Sequence, residues 1–190
     1  PDPEKRLKAA RALGPRGIET LAKMAQSADT PKGLRDQALG ELLGKHDASI
    51  ILPHLAPVLK SPNAEVSRSA LGMIRRYKFL PALRLLLEIT KDPGTSSDKL
   101  CNIIDIVGEI GDSNAQPTLL SLLQHEFLMV RRRAASALGR VGTQGALSQL
   151  QHCATVASSN RRFKDLCLRA IERIRQRHGV AADAPSAEAV

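Results

Sequence analysis

Few residues in this chain have the type and spacing that chemistry needs. His125 and Glu126 form its one adjacent His-Glu pair. Such a pair can offer a metal ligand or a general base, but a metal site needs further ligands, and no second pair exists to supply them. The five histidines, His46, His54, His125, His152 and His178, are scattered along the chain. Only His152 has a cysteine beside it, and neighbours on a helix point about 100° apart, which seldom suits one ion. Cys101, Cys153 and Cys167 are odd in number and form no CxxC pair, which predicts reduced core thiols and a cytoplasmic protein. Glycines recur three apart at Gly14 and Gly17, Gly108 and Gly111, and Gly139 and Gly142, where they punctuate helix ends rather than cradle a phosphate. The sequence thus offers no catalytic, cofactor-binding or metal-binding residue.

Charge is the stronger signal. The net charge is +9 over 190 residues, but residues 127–179 alone hold 11 Lys and Arg against 2 Asp and Glu. Residues 1–126 hold 17 against 15. Such asymmetry fits either an anionic partner or a solvated basic face. Arg131, Arg132, Arg133 and Arg140 form one basic cluster; Arg161, Arg162, Lys164, Arg169, Arg173, Arg175 and Arg177 form another. The candidate binding surface is Arg132, Arg133, Arg140, Arg161, Arg162, Lys164, Arg169 and Arg173.

The elements that carry these residues repeat. Val130, Ala134, Ala135 and Leu138 place an apolar residue, two small residues and another apolar residue at helical spacing. Val66, Ala70, Leu71 and Ile74 match, as do Leu34, Ala38, Leu39 and Leu42. A looser copy holds Ile103, Ile104 and Val107, with Lys99 where the first apolar residue belongs. The weakest runs through Ala9, Ala10, Leu13, Gly14 and Gly17. The anchors at 5, 34, 66, 99 and 130 are 29 to 33 residues apart, a period that fits two short helices and two turns stacked as a solenoid.

The expected class is therefore all-α: an α-solenoid of about five helix pairs over 3–30, 31–62, 63–94, 95–126 and 127–158, with a capping helix over 160–178. Residues 1–179 form one repeat domain, and 180–190 read as a disordered tail. Pro53 and Pro57 predict that the second helix of repeat two starts late or kinks. Lys91–Ser97 is the longest turn and the expected mobile loop, with Ser97 as the following cap. Asp112 or Ser113 is expected to cap the second helix of repeat four. No apolar run approaches the ~18 residues that span a bilayer.

Val130–Gly142 and the Gly111-Asp112-x-x-Ala115-x-Pro117 turn resemble the HEAT-like repeat of the phycobiliprotein-lyase type. The resemblance covers roughly residues 3–178. It implies a right-handed superhelix of antiparallel helix pairs with second helices on the concave face, and pairing of Arg131 with Asp112. Deoxyhypusine hydroxylase, an iron enzyme with this repeat, carries His-Glu directly after the Val-Arg, where this chain has Arg132 and Arg133. HEAT-like DNA glycosylases line their pockets with aromatics that include Trp, and this chain has none.

Three readings follow. The leading one is a non-catalytic scaffold presenting a solenoid surface to a protein partner, expected to be acidic. The second is binding of duplex nucleic acid or anionic lipid through the basic last third. The third, least favoured, is a HEAT-like enzyme of lyase or glycosylase type.

Overall fold

The computed structural model describes residues 2–156 and 160–179. The expected tail over 180–190 lies outside the described residues. Among them are eleven α-helices and no strand: α1 (Pro3–Ala12), α2 (Ile18–Gln26), α3 (Lys32–Lys45), α4 (Ala48–Leu59), α5 (Ala64–Tyr77), α6 (Leu83–Ile89), α7 (Ser97–Ile110), α8 (Gln116–Leu122), α9 (Leu128–Val141), α10 (Leu147–Val156) and α11 (Arg161–His178). The fold is an all-α array of repeated helix pairs, in which each odd-numbered helix up to α9 is the first of its pair. The chain divides inside α7 into two compact units, Pro1–Ile106 and Val107–Val190.

In the first unit, α3 packs between α2 and α5, α1 lies on α2 and α3, and α4 lies on α2 and α5. The anchoring positions behave as their spacing predicts: Val66, Ala70 and Ile74 are fully buried, with Ala38 and Leu39 beside them in the core. The first repeat departs from the expected register. In α1 the buried residues are Leu7 and Ala10, while Leu13 is 54% exposed, because the chain leaves α1 there for a 3-10 turn at Gly14–Gly17. Gly17 is required by proximity: a Cβ on it would stand 2.0 Å from the Ala10 carbonyl oxygen.

Helix α4 corrects the proline expectation. It starts at Ala48, not near Pro53, and holds both prolines inside. Pro53 and Pro57 are four apart and exposed on one face, so the carbonyls left without a donor are those that face water. The α7 cap is also one residue earlier than expected: Ser96 Oγ accepts the Lys99 N–H at 3.4 Å, and Ser97 is already helical. The turn before it is internally bonded, with Asp92 accepting the Gly94 N–H at 2.9 Å and Thr95 Oγ1 donating to the Ile89 carbonyl at 2.9 Å.

In the second unit, α9 packs on α8 and α11, and α10 packs on α11. Small residues set the spacing. A Cβ on Gly139 would meet Ala170 Cα at 3.1 Å, and one on Gly108 would meet Ala137 Cα at 3.0 Å. The stem of Arg173 runs past Gly139 as Arg140 runs past Gly108, so Ala137 with Arg140 in α9 corresponds to Ala170 with Arg173 in α11. Neighbouring second helices are stitched by glutamines. Gln116 Oε1 accepts the Thr143 N–H and hydroxyl at 2.6 and 2.9 Å, and Gln149 Nε2 donates to the Leu120 carbonyl at 3.1 Å.

Candidate functional site

The basic residues of the second unit are segregated by helix. Helices α8 and α10 contain no Asp, Glu, Lys or Arg, and every candidate cation lies on α9 or α11. The charge therefore belongs to α9 and α11, not to the second helices α8 and α10.

The candidates separate into those that face outward and those absorbed by packing. Arg140 on α9, and Arg162, Arg169 and Arg173 on α11, are exposed. On α11 these three sit at i, i+7 and i+11, which places them on one face. Arg140 and Arg173 hold equivalent positions, so the two helices present a common basic strip. Arg161 and Lys164 are exposed on a different face of α11, beside Leu168, which is 41% exposed. Arg132 is half-buried, and its Nη2 donates to Asn160 Oδ1 at 3.1 Å, the same oxygen that caps α11 by accepting the Phe163 N–H at 3.1 Å. Arg133 is exposed and engaged in an interaction of its own. The outward-facing members of the candidate set are thus fewer than charge counting suggests.

The expected pairing of Arg131 with Asp112 does not occur. The Arg131 guanidinium lies over the Phe163 ring, 5.8 Å from its centroid. Asp112 is occupied locally, accepting from the N–H of Asn114 at 2.9 Å and its side-chain amide at 3.1 Å, and so caps the following turn as expected.

Arg177 is structural. Its Nη1 donates to the carbonyls of Gly139 and Arg140, at 3.2 and 2.6 Å, and its Nη2 to Gly142 at 2.6 Å. A guanidinium placed on the last carbonyls of α9 satisfies acceptors that the helix cannot and meets the negative end of its dipole. In the first unit, cations are paired with carboxylates instead: Arg11 and Lys45 share Glu41 at 2.9 and 2.8 Å. The Lys45 and Arg11 cations hold the Glu41 carboxyl below its ordinary range. Among the described residues, Arg140, Arg162, Arg169 and Arg173 have no such carboxylate.

Two large apolar residues are exposed at the other end of α9 from Arg140. Phe127 and Met129, at the start of α9, are each 51% exposed. The His125 ring rests against Phe127 with centroids 5.6 Å apart, and its Nδ1 accepts the Phe127 N–H at 3.1 Å. His125 is thus committed to a turn. Among the described residues no group of three or more His, Cys, Asp or Glu is placed to hold a metal. Cys153 and Cys167 are buried, and burial raises both thiols, Cys167 to about 12. No helix among the described residues is long and apolar enough to cross a membrane.

The family comparison rests on the same helices. The family model described as HEAT repeats matches residues 84–172. HEAT arrays build extended surfaces from stacked helix pairs, and such surfaces commonly receive other proteins. Two solved structures align with this chain at 19% identity. One is an engineered protein, with a TM-score of 0.46 and coverage of 92% of both chains. The other is human deoxyhypusine hydroxylase in complex with glycerol, with a TM-score of 0.41, covering 92% of this chain and 81% of that one. A comparison with curated protein sequences finds no match.

Proposed function

We propose that this protein is a non-catalytic, cytoplasmic binding module that takes an acidic protein segment on the outer faces of α9 and α11. The observation that carries this reading is the exposed basic strip of Arg140, Arg162, Arg169 and Arg173, on helices whose neighbours α8 and α10 carry no charge, with Phe127 and Met129 exposed at the start of α9. Carboxylates of a partner would pair with the arginine forks, and an apolar partner residue would cover Phe127 and Met129. Exposed large apolar side chains on the same helix as Arg140 favour a protein over a phosphate backbone, which offers them nothing. This places contact on the first helices, away from the uncharged α8 and α10.

The test is fluorescence anisotropy with a labelled peptide of alternating Glu and Leu, a random 20-base-pair duplex and anionic vesicles as separate arms, each across a salt series. The expected result is peptide binding that weakens with salt and falls at least tenfold in Arg140→Glu/Arg173→Glu. Peptide binding that ignores the double reversal would overturn the reading. Tighter binding of duplex or vesicles than of peptide, lost in the same variant, would replace it with phosphate recognition.

A further inference from the structure

Lys99 breaks the repeat. Val66 and Val130 hold the equivalent position with fully buried side chains, whereas Lys99 is a half-buried cation. Sequences violate their own pattern most often where a site has been built.

The break opens a cavity of about 370 Å³ in the first unit, where the starts of α5 and α7 converge. Lys60, Arg68 and Lys99 line it together, with Asp92, Asp98 and Ser96. Among the described residues, none of the three cations makes an ion pair or a side-chain hydrogen bond. The Asp92 carboxylate already accepts the Gly94 N–H. Burial presses the Lys99 ammonium below its ordinary pKa, and Asp92 only partly offsets this. A half-buried cation without a bonded partner gains from an anion that comes to it, and exposed Lys60 and Arg68 stand on the same pocket.

We propose that Lys60, Arg68 and Lys99 form a binding site for a phosphoryl group, carried on a small phosphate ester or on a phosphorylated side chain of a partner. The Arg68 guanidinium supplies a planar fork that suits two phosphate oxygens, and the two ammonium groups supply point charges. The first turn of α7 adds its dipole on the same side. A pocket of this volume has room for a phosphoryl group together with its attached ester. Asp92 and Asp98 limit the charge, so the site would prefer one phosphoryl group to a run of them.

The site is independent of the strip on α9 and α11, and the experiment separates them. The amide resonances of residues 94–99 are followed by NMR during titration with inorganic phosphate, glycerol 3-phosphate and an acetylated phosphoserine amide, at constant ionic strength. Saturable shifts confined to this turn and the start of α5 are expected. A stronger response to phosphoserine than to glycerol phosphate would assign the source to a modified partner; the reverse would assign it to a free ester. Lys99→Leu, which restores the apolar anchor, should raise Tm by about 2–4 °C while weakening phosphate binding at least tenfold. Asp92→Asn keeps the acceptor for Gly94 and should tighten binding several-fold. Arg140→Glu/Arg173→Glu should leave it unchanged. Should Lys99→Leu not fold, Arg68→Gln carries the same loss on an exposed residue. Absent saturation, or binding unaltered by either Lys99→Leu or Arg68→Gln, would overturn the proposal.

Discussion

Arg177 Nη1 donates to the main-chain carbonyl of Arg140 at 2.6 Å, so two members of the basic region, 37 residues apart, are joined side chain to backbone. The bond belongs to Arg177 and leaves the Arg140 side chain outside it. Arg177→Ala should therefore cost about 1–2 kcal/mol in urea unfolding, with Arg177→Lys recovering little because one ammonium cannot span three carbonyls. Arg140→Ala, made at the other end of the same bond, should change stability by less than about 0.5 kcal/mol. Equal losses in the two variants would show that the guanidinium does not cap α9.

Two glycines in helix interiors should respond to alanine with opposite signs. Gly72 in α5 has nothing within 4 Å of an added Cβ, so Gly72→Ala should stabilise by about 0.5–1 kcal/mol through helix propensity. Gly139→Ala gains the same propensity but drives a methyl to 3.1 Å from Ala170 Cα, and should destabilise. Chemical denaturation of the pair reads the sign directly.

Arg35 is 1% exposed, and its Nη2 donates to the Thr30 and Ala28 carbonyls at 2.9 and 3.3 Å. Its Nη1 stands 3.7 Å from Glu65 Oε1. Arg35→Ala should cost about 3 kcal/mol, through the cavity and the two stranded carbonyls. Glu65→Gln should cost far less, since Glu65 is exposed. A loss below about 1 kcal/mol for Arg35→Ala would mean that the turn before α3 holds without it.

Cys167 is raised from 9.0 to about 12 by burial, with Cys153 adding to the rise. In the unfolded chain the thiol ionises near 9, so the unfolded state sheds a proton that the folded state keeps. Stability from this group is complete below pH 9 and is lost as pH climbs from 9 toward 12. Cys167→Ala should flatten that alkaline decline, and iodoacetamide at pH 8 should leave Cys167 unmodified until the protein unfolds. Alkylation at pH 8 without unfolding would contradict the burial.

The repeat was legible because its causes are local. Val66, Ala70 and Ile74, or Val130, Ala134 and Leu138, bury one stripe of a helix, and that stripe is written at helical spacing. The basic region was legible as composition but not as a surface. Whether Arg132 reaches Asn160, or Arg177 reaches Gly142, depends on contacts 28 and 35 residues away that no spacing rule encodes. Arg35 went unnoticed because an arginine after the anchor reads as a solvated charge; the turn carbonyls that bury it become visible only in three dimensions. Lys99 was visible as an irregularity, yet the neighbours that give it meaning, Lys60 and Arg68, sit on other helices. The prolines of α4 misled because the pattern shows that proline removes a donor, and not that the opposing carbonyls face water.

The register that places Gly108 against Ala137 and Gly139 against Ala170 puts Glu172 at the next equivalent position on α11, where it is exposed. A helix stacked on α11 as α11 stacks on α9 would have to cover that carboxylate with no cation set to meet it. Where Gly108 and Gly139 let a neighbouring helix come close, Glu172 keeps this face of α11 bulky and charged. Exchanging that one side chain for glycine would give this face the small-residue contact that α9 and α11 already share.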